Sequence, residues 1–114
     1  MSVKDVRDAL LTVTEAVYHY KADPNHKNKY IVWGETGTSA VFSADDAVEN
    51  IVLGGELYYY TDTEYDHMFD RICTALDEYG ISWALNGIGY DDALGQIVYS
   101  MEWGVVCGKG AIYQ

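Results

Sequence analysis

The sequence predicts an α+β domain, a mainly antiparallel β-sheet flanked by about two α-helices. Three observations carry that expectation. Apolar residues recur at three- and four-residue spacing in two segments, the stretches between and after them alternate apolar with polar, and the order runs helix, strands, helix, hairpin. With 114 residues, 49% of them hydrophobic, the chain fits one domain, residues 1–114, with enough apolar side chains for one core.

The first helix is expected from Ser2 to Ala16. Val3, Val6, Leu10, Val13 and Val17 form one apolar stripe, and Ser2 with Asp5 has capping-box spacing. VYHY, residues 17–20, suits a strand. KADPNHKNK is a polar loop in which Asp23-Pro24-Asn25 is turn chemistry, because Pro24 pushes Asp23 away from helix. YIVWGE follows as a second strand, so Tyr18, Tyr20, Tyr30 and Trp33 are expected on two arms of a hairpin. SADDAVEN, residues 43–50, reads equally as a helical turn or a loop.

In IVLGGELYYYT, Ile51, Leu53, Leu57 and Tyr59 share one face, and Glu56, Tyr58 and Tyr60 the other. Gly54-Gly55 within that run suggests a bulge or a close backbone approach. A second helix is expected from about Thr61 to Gly80. Thr61 and Glu64 offer its capping box, Asp62, Glu64 and Asp66 suit the positive end of its dipole, and Gly80 ends it. Tyr65, Phe69, Ile72, Leu76 and Tyr79 would be its buried stripe. The closing strands, ISWALNGIGY and GQIVYSMEWGVV, are joined by DDALG. In the last, Ile97, Tyr99, Met101, Trp103 and Val105 alternate with Val98, Ser100, Glu102 and Gly104. Residues 106–114, ending in GKGAIYQ, read as a tail that need not pack.

Charge narrows the function classes. The net charge is −11, and from Tyr30 to Gly108 the only Lys or Arg is Arg71, against fourteen Asp and Glu. Such a surface repels phosphate backbones, so specific nucleic-acid binding is not expected. No run of 18 apolar residues and no charged-then-apolar leader is present, so neither membrane insertion nor export is expected. Cys73 and Cys107 lack metal spacing and read as free thiols of a reducing cytoplasm.

Catalytic and metal readings find little footing, and no cofactor is expected. An EF-hand begun at Asp62 would put His67 where glycine is needed and Cys73 where glutamate is needed. Glu64-x-x-His67 is half of a di-iron pair with no second copy. There is no nucleophile elbow and no Walker loop, and GKG at 108–110 has no helix after it. The acid pairs Asp45-Asp46, Asp77-Glu78 and Asp91-Asp92 show no sign of an apolar pocket, and adjacent acids in polar turns usually face water. What stands out is a surplus of aromatics, with eleven tyrosines and three tryptophans. Tyr58-Tyr59-Tyr60 must show side chains on both faces of one strand, and interfaces favour aromatics with a polar tip. The alternative is a second layer covered by the same chain.

The progression VYHY, polar loop, KYIVWGE, ADDAVEN, ELYYYTDTEYD, helix and QIVYSMEWGVV resembles a group of small tail-terminator and tail-completion (minor capsid-like) proteins of siphophages and prophages of Gram-positive bacteria, over residues 17–106. The chain departs from that pattern in having Lys29, not a proline, next to YIVW. The resemblance implies a sheet flanked by helices and a homohexameric ring that caps the tail tube. Its implied partners are further copies of itself, the major tail tube protein and a head-completion or connector protein. The ring would belong to the virion, be assembled in the host bacterial cytoplasm, let DNA pass, and have no catalytic residues. Lys21, Lys27 and Lys29, with Tyr58 and Tyr60, are the candidate subunit or tail interface. The alternatives are a head-closure or connector protein of the same junction, an acidic DNA mimic, or a small enzyme.

Overall fold

The computed structural model describes every residue but 45 and 46, and the side chains of all but 39–49. Its elements are α1 (Val3–Leu11), β1 (Val17–His19), β2 (Tyr30–Ala44), β3 (Ala47–Thr61), α2 (His67–Glu78), β4 (Ser82–Asp91) and β5 (Gln96–Gly108). The strands form one sheet in the order β1-β2-β3-β5-β4, antiparallel except for β1 against β2. The fold is α+β, as the sequence patterns predict. Asp45 and Asp46 lie outside the described residues. Around them, Ser43–Ala44 and Ala47–Asn50 are strand, where SADDAVEN allowed a helical turn or a loop.

α1 begins as expected. Ser2 Oγ accepts from the Lys4 N–H at 3.1 Å, and the Ser2 N–H donates to Asp5 at 2.8 Å. The helix stops at Leu11, five residues short of the expected Ala16, because the β-branched run Thr12-Val13-Thr14 propagates helix poorly. The Thr12 hydroxyl instead donates to Ala9 O at 2.6 Å and closes the last turn. Val13 and Val17 still pack on the core, one from the loop and one from β1.

The hairpin expected of VYHY and YIVW is not formed. Val17, Tyr18 and His19 run parallel to Ile31, Val32 and Trp33. The loop of residues 20–29 carries the chain back to the starting level before β2 begins, and an alternating pattern looks the same in either orientation. Tyr20 makes the turn in the left-handed region, at φ 65°, and its N–H donates to Trp33 O at 2.7 Å. Inside the loop the Asn25 N–H donates to Asp23 Oδ1 at 2.8 Å, which is the turn that Asp-Pro-Asn predicts.

α2 also starts late. Asp66, rather than Thr61, is its N-cap, accepting from the Met68 N–H at 2.9 Å. Thr61 is the last residue of β3, and its hydroxyl donates to the Asp66 carboxylate at 2.6 Å. Tyr65 is therefore 89% exposed and Tyr79 also lies outside the core, while Ile72 and Leu76 are fully buried. At the other end Gly80, at φ 71°, donates to Asp77 O, and Ile81 donates to Leu76 O. That paired arrangement is the glycine stop the sequence promised.

Both helices lie on one face of the sheet. Val3, Val6, Ala9 and Leu10 of α1 and Ile72 and Leu76 of α2 share a cluster with Ile31, Trp33, Leu53, Leu57, Tyr59, Met101, Trp103 and Val105. Gly55 sits under Trp103, and a Cβ on it would fall 2.3 Å from the indole ring and 2.2 Å from Gly34 O. The double glycine is thus a close-approach site, and the register shifts nearby fall on β2, between Glu35 and Gly37 and between Thr38 and Ala40. The expected loose tail is held as well, since β5 runs to Gly108, the Val3 N–H donates to Ile112 O at 2.8 Å, and Ile112 packs on the core.

The sheet narrows along its length. It has five strands at the level of His19, Trp33, Leu57, Met101 and Leu85, three at Val41, Ile51 and Cys107, and two at Ala44 and Ala47.

Candidate interaction surface

The face of the sheet opposite the helices carries the side chains that the strands turn away from the core. On β3 these are Val52, Gly54, Glu56, Tyr58 and Tyr60, and on β5 Val98, Ser100, Glu102, Gly104 and Val106. The two strands are antiparallel and in register, so Glu56 stands directly across from Glu102. Like charges opposite each other weaken a sheet, and this pair has no basic residue on any neighbouring strand to offset it. An open groove of about 540 Å³ runs over this part of the face, lined by Gly54, Glu56, Ala84, Glu102 and Gly104 among others.

Of the candidate residues, Tyr58 and Tyr60 fall at one end of that face. Tyr58 donates its hydroxyl to Glu56 Oε2 at 2.6 Å, and this bond, then burial, raises its pKa. Tyr60 stacks on Tyr30 with centroids 4.6 Å apart, and His26 from the loop closes over the other side of Tyr30 at 4.0 Å. The loop and the tyrosine-rich strand are thus brought to one surface by a chain of ring contacts. Lys21 and Lys27, in the same loop, are exposed. Lys29 differs, because its Nζ lies 3.4 Å from the buried Asp66 carboxylate and its charge is engaged within the chain.

Other polar groups serve local structure. His19 Nε2 meets Glu35 Oε1 at 2.5 Å, stacked between Tyr20 and Trp33. Burial alone would raise the Glu35 pKa, but hydrogen bonds from His19, its own backbone, Tyr113 and Tyr20 hold it below the usual range. His67 lies exposed beside Asp70, Asp77 accepts from the Trp83 indole at 2.9 Å, and Asp91 accepts from the Leu94 N–H in the β4–β5 turn. Among the described residues no three His, Cys, Asp or Glu side chains gather as a metal site, and no helix is long and apolar enough to cross a membrane.

The thiols are held protonated. Burial, helped by Asp70 and Asp77, pushes Cys73 up to about 11, and burial also raises Cys107, which is fully enclosed. Thiolate is the reactive form, so a thiol-disulfide reagent at pH 7 is expected to label both cysteines slowly in the folded protein and at once in denaturant. Rapid labelling of Cys107 without denaturant would show that the β5 end of the core opens.

Two parts of this surface are not apparent from sequence. Glu56 and Glu102 each read as outward-facing, but their juxtaposition depends on which strands pair. ISWALNGIGY reads as a long strand, and nothing in its spacing marks it as an edge. No protein-family model matches the chain, and no curated protein matches it.

Proposed function

We propose that the chain is a structural subunit of a tailed-phage virion, a tail terminator that caps the tail tube as a homo-oligomeric ring, probed most directly as a hexamer, and joins it to head-completion proteins. In this reading it is not an enzyme. The observation that carries it is the bare sheet face, with Glu56 across from Glu102 and no Lys or Arg in any strand. Turned toward a lumen, such a face repels DNA phosphates and lets the duplex pass without sticking. The helices would face outward, and the exposed Lys21 and Lys27 would meet acidic surface on a neighbouring subunit or on the tube.

The test is negative-stain microscopy and light scattering of the purified protein, alone and with tail tubes. Rings, or tubes capped at one end, are expected. Replacing Lys21 and Lys27 by glutamate is expected to weaken assembly most at low salt, where contacts between charges are least screened. A strict monomer under every condition, with tubes left uncapped, would sink the reading.

A further inference from the structure

Both edges of the sheet are partly open. β4 pairs only with β5, so its other side is an open edge of ten residues. On the opposite side, β1 covers only Ile31–Trp33, and the Tyr20 hydroxyl donates to Glu35 O at 2.9 Å. Past that point β2 continues from Thr36 to Ala44 with β3 on one side and, among the described residues, no strand on the other.

Apart from Asp91 at the very end of β4, neither open run carries a charge. The chain has 7 basic and 18 acidic residues, yet SWALNGIGY at 82–90 and TGTSAVFSA at 36–44 contain none, and neither contains proline. Charges and prolines are the common means by which sheets keep their edges from pairing. β4 goes further in the other direction. Leu85, Ile88 and Tyr90 are on the helix side of the sheet but extend past the helices, and they are 40%, 57% and 64% exposed.

We propose that β4 is a joint for a second copy of this chain, whose open β2 run, Thr36 to Ala44, adds to it as the next strand. Main-chain hydrogen bonds supply the attachment, and Leu85, Ile88 and Tyr90 gain cover. Two copies of net charge −11 repel almost everywhere else, so an uncharged edge meeting an uncharged edge is the approach with least opposition. The runs lie on opposite edges of one sheet, which makes the contact head-to-tail, the kind that can repeat round a ring. The register shifts along β2 bend that strand, as a sheet continuing around an axis requires. The proposal rests on the reading of the chain as a self-assembling subunit.

Sedimentation across a concentration series tests it, comparing the wild type with Ile88→Lys and Leu85→Lys. A third variant, Leu11→Lys, adds the same charge at an exposed apolar site on α1. The wild type and Leu11→Lys are expected to associate, and the two β4 variants to stay monomeric with unchanged circular dichroism and melting. Association that survives both β4 substitutions overturns the joint and leaves the ring reading standing. A wild type that is monomeric up to its solubility limit also overturns the joint, whereas the ring reading is decided separately by capping of tail tubes.

Discussion

Gly55→Ala is expected to destabilise the protein by about 3 kcal/mol or more, at or beyond the upper end of ordinary overpacking. The added Cβ would lie 2.2 Å from Gly34 O and 2.3 Å from the Trp103 ring. The first contact is with backbone held in the β2–β3 ladder, so it cannot relax by a rotamer change. The second is with an indole whose Nε1 donates to Glu56 O at 3.0 Å, so swinging it away also leaves a donor without its partner. Against a total stability of about 5–15 kcal/mol, such a loss lowers the melting temperature by roughly 10 °C or more. Gly104 gives the matched control: its Cβ would meet nothing closer than 3.6 Å, and Gly104→Ala is expected to melt near the wild type. Equal melting of Gly55→Ala and the wild type by calorimetry would refute the close-approach account.

The second large effect centres on Asp66. Its side chain is only 7% exposed, and it accepts from the Tyr59 hydroxyl at 2.7 Å, the Thr61 hydroxyl at 2.6 Å and the Met68 N–H at 2.9 Å, with Lys29 3.4 Å away. Burial would raise its pKa, but Thr61, Tyr59, Met68 and Lys29 together lower it to about 2. Asp66→Ala removes the helix cap and strands two buried hydroxyls, at a cost of about 3–5 kcal/mol. The folded pKa lies below the unfolded one, so this stabilisation is present above the unfolded value and is lost as pH falls through the folded one. The contribution is on the order of 2–3 kcal/mol, disappearing from about pH 4 toward pH 2. Acidification also relieves the repulsion within so negative a chain, so the useful quantity is the difference between wild type and Asp66→Asn. That difference should shrink across the window, and a constant difference in urea midpoints would argue against the linkage.

Asp66 also marks where sequence reading stopped short. Thr61 and Glu64 have capping-box spacing, and Asp62, Glu64 and Asp66 all suit the positive end of the dipole, so the sequence offers more than one start for this helix. Which one caps depends on partners far along the chain or across a sheet, here Tyr59 and Lys29, and local spacing does not contain that. Where the determinants were local, the reading held. Ser2 with Asp5 formed its box, Gly80 ended its helix, and the alternation in β3 and β5 separated Leu57 and Tyr59 from Tyr58 and Tyr60. The β1–β2 orientation was not legible, since three alternating residues carry no direction and the path of residues 20–29 decides it. The candidate surface was half legible. Tyr58, Tyr60, Lys21 and Lys27 could be singled out one by one, whereas the Glu56–Glu102 pairing and the bare edge of β4 exist only once strand order is known.

The narrowing of the sheet from five strands to two gives the protein the outline of a stave, broad at one end and slim at the other, within overall dimensions of 51 × 24 × 23 Å. Staves of uniform width close into a straight pipe, while tapered ones close into a funnel. In the ring proposed above, the joint would seat each narrow run, Thr36 to Ala44, against β4 at the broad end of the next copy, so that a neighbour fills the taper rather than leaving it as a gap.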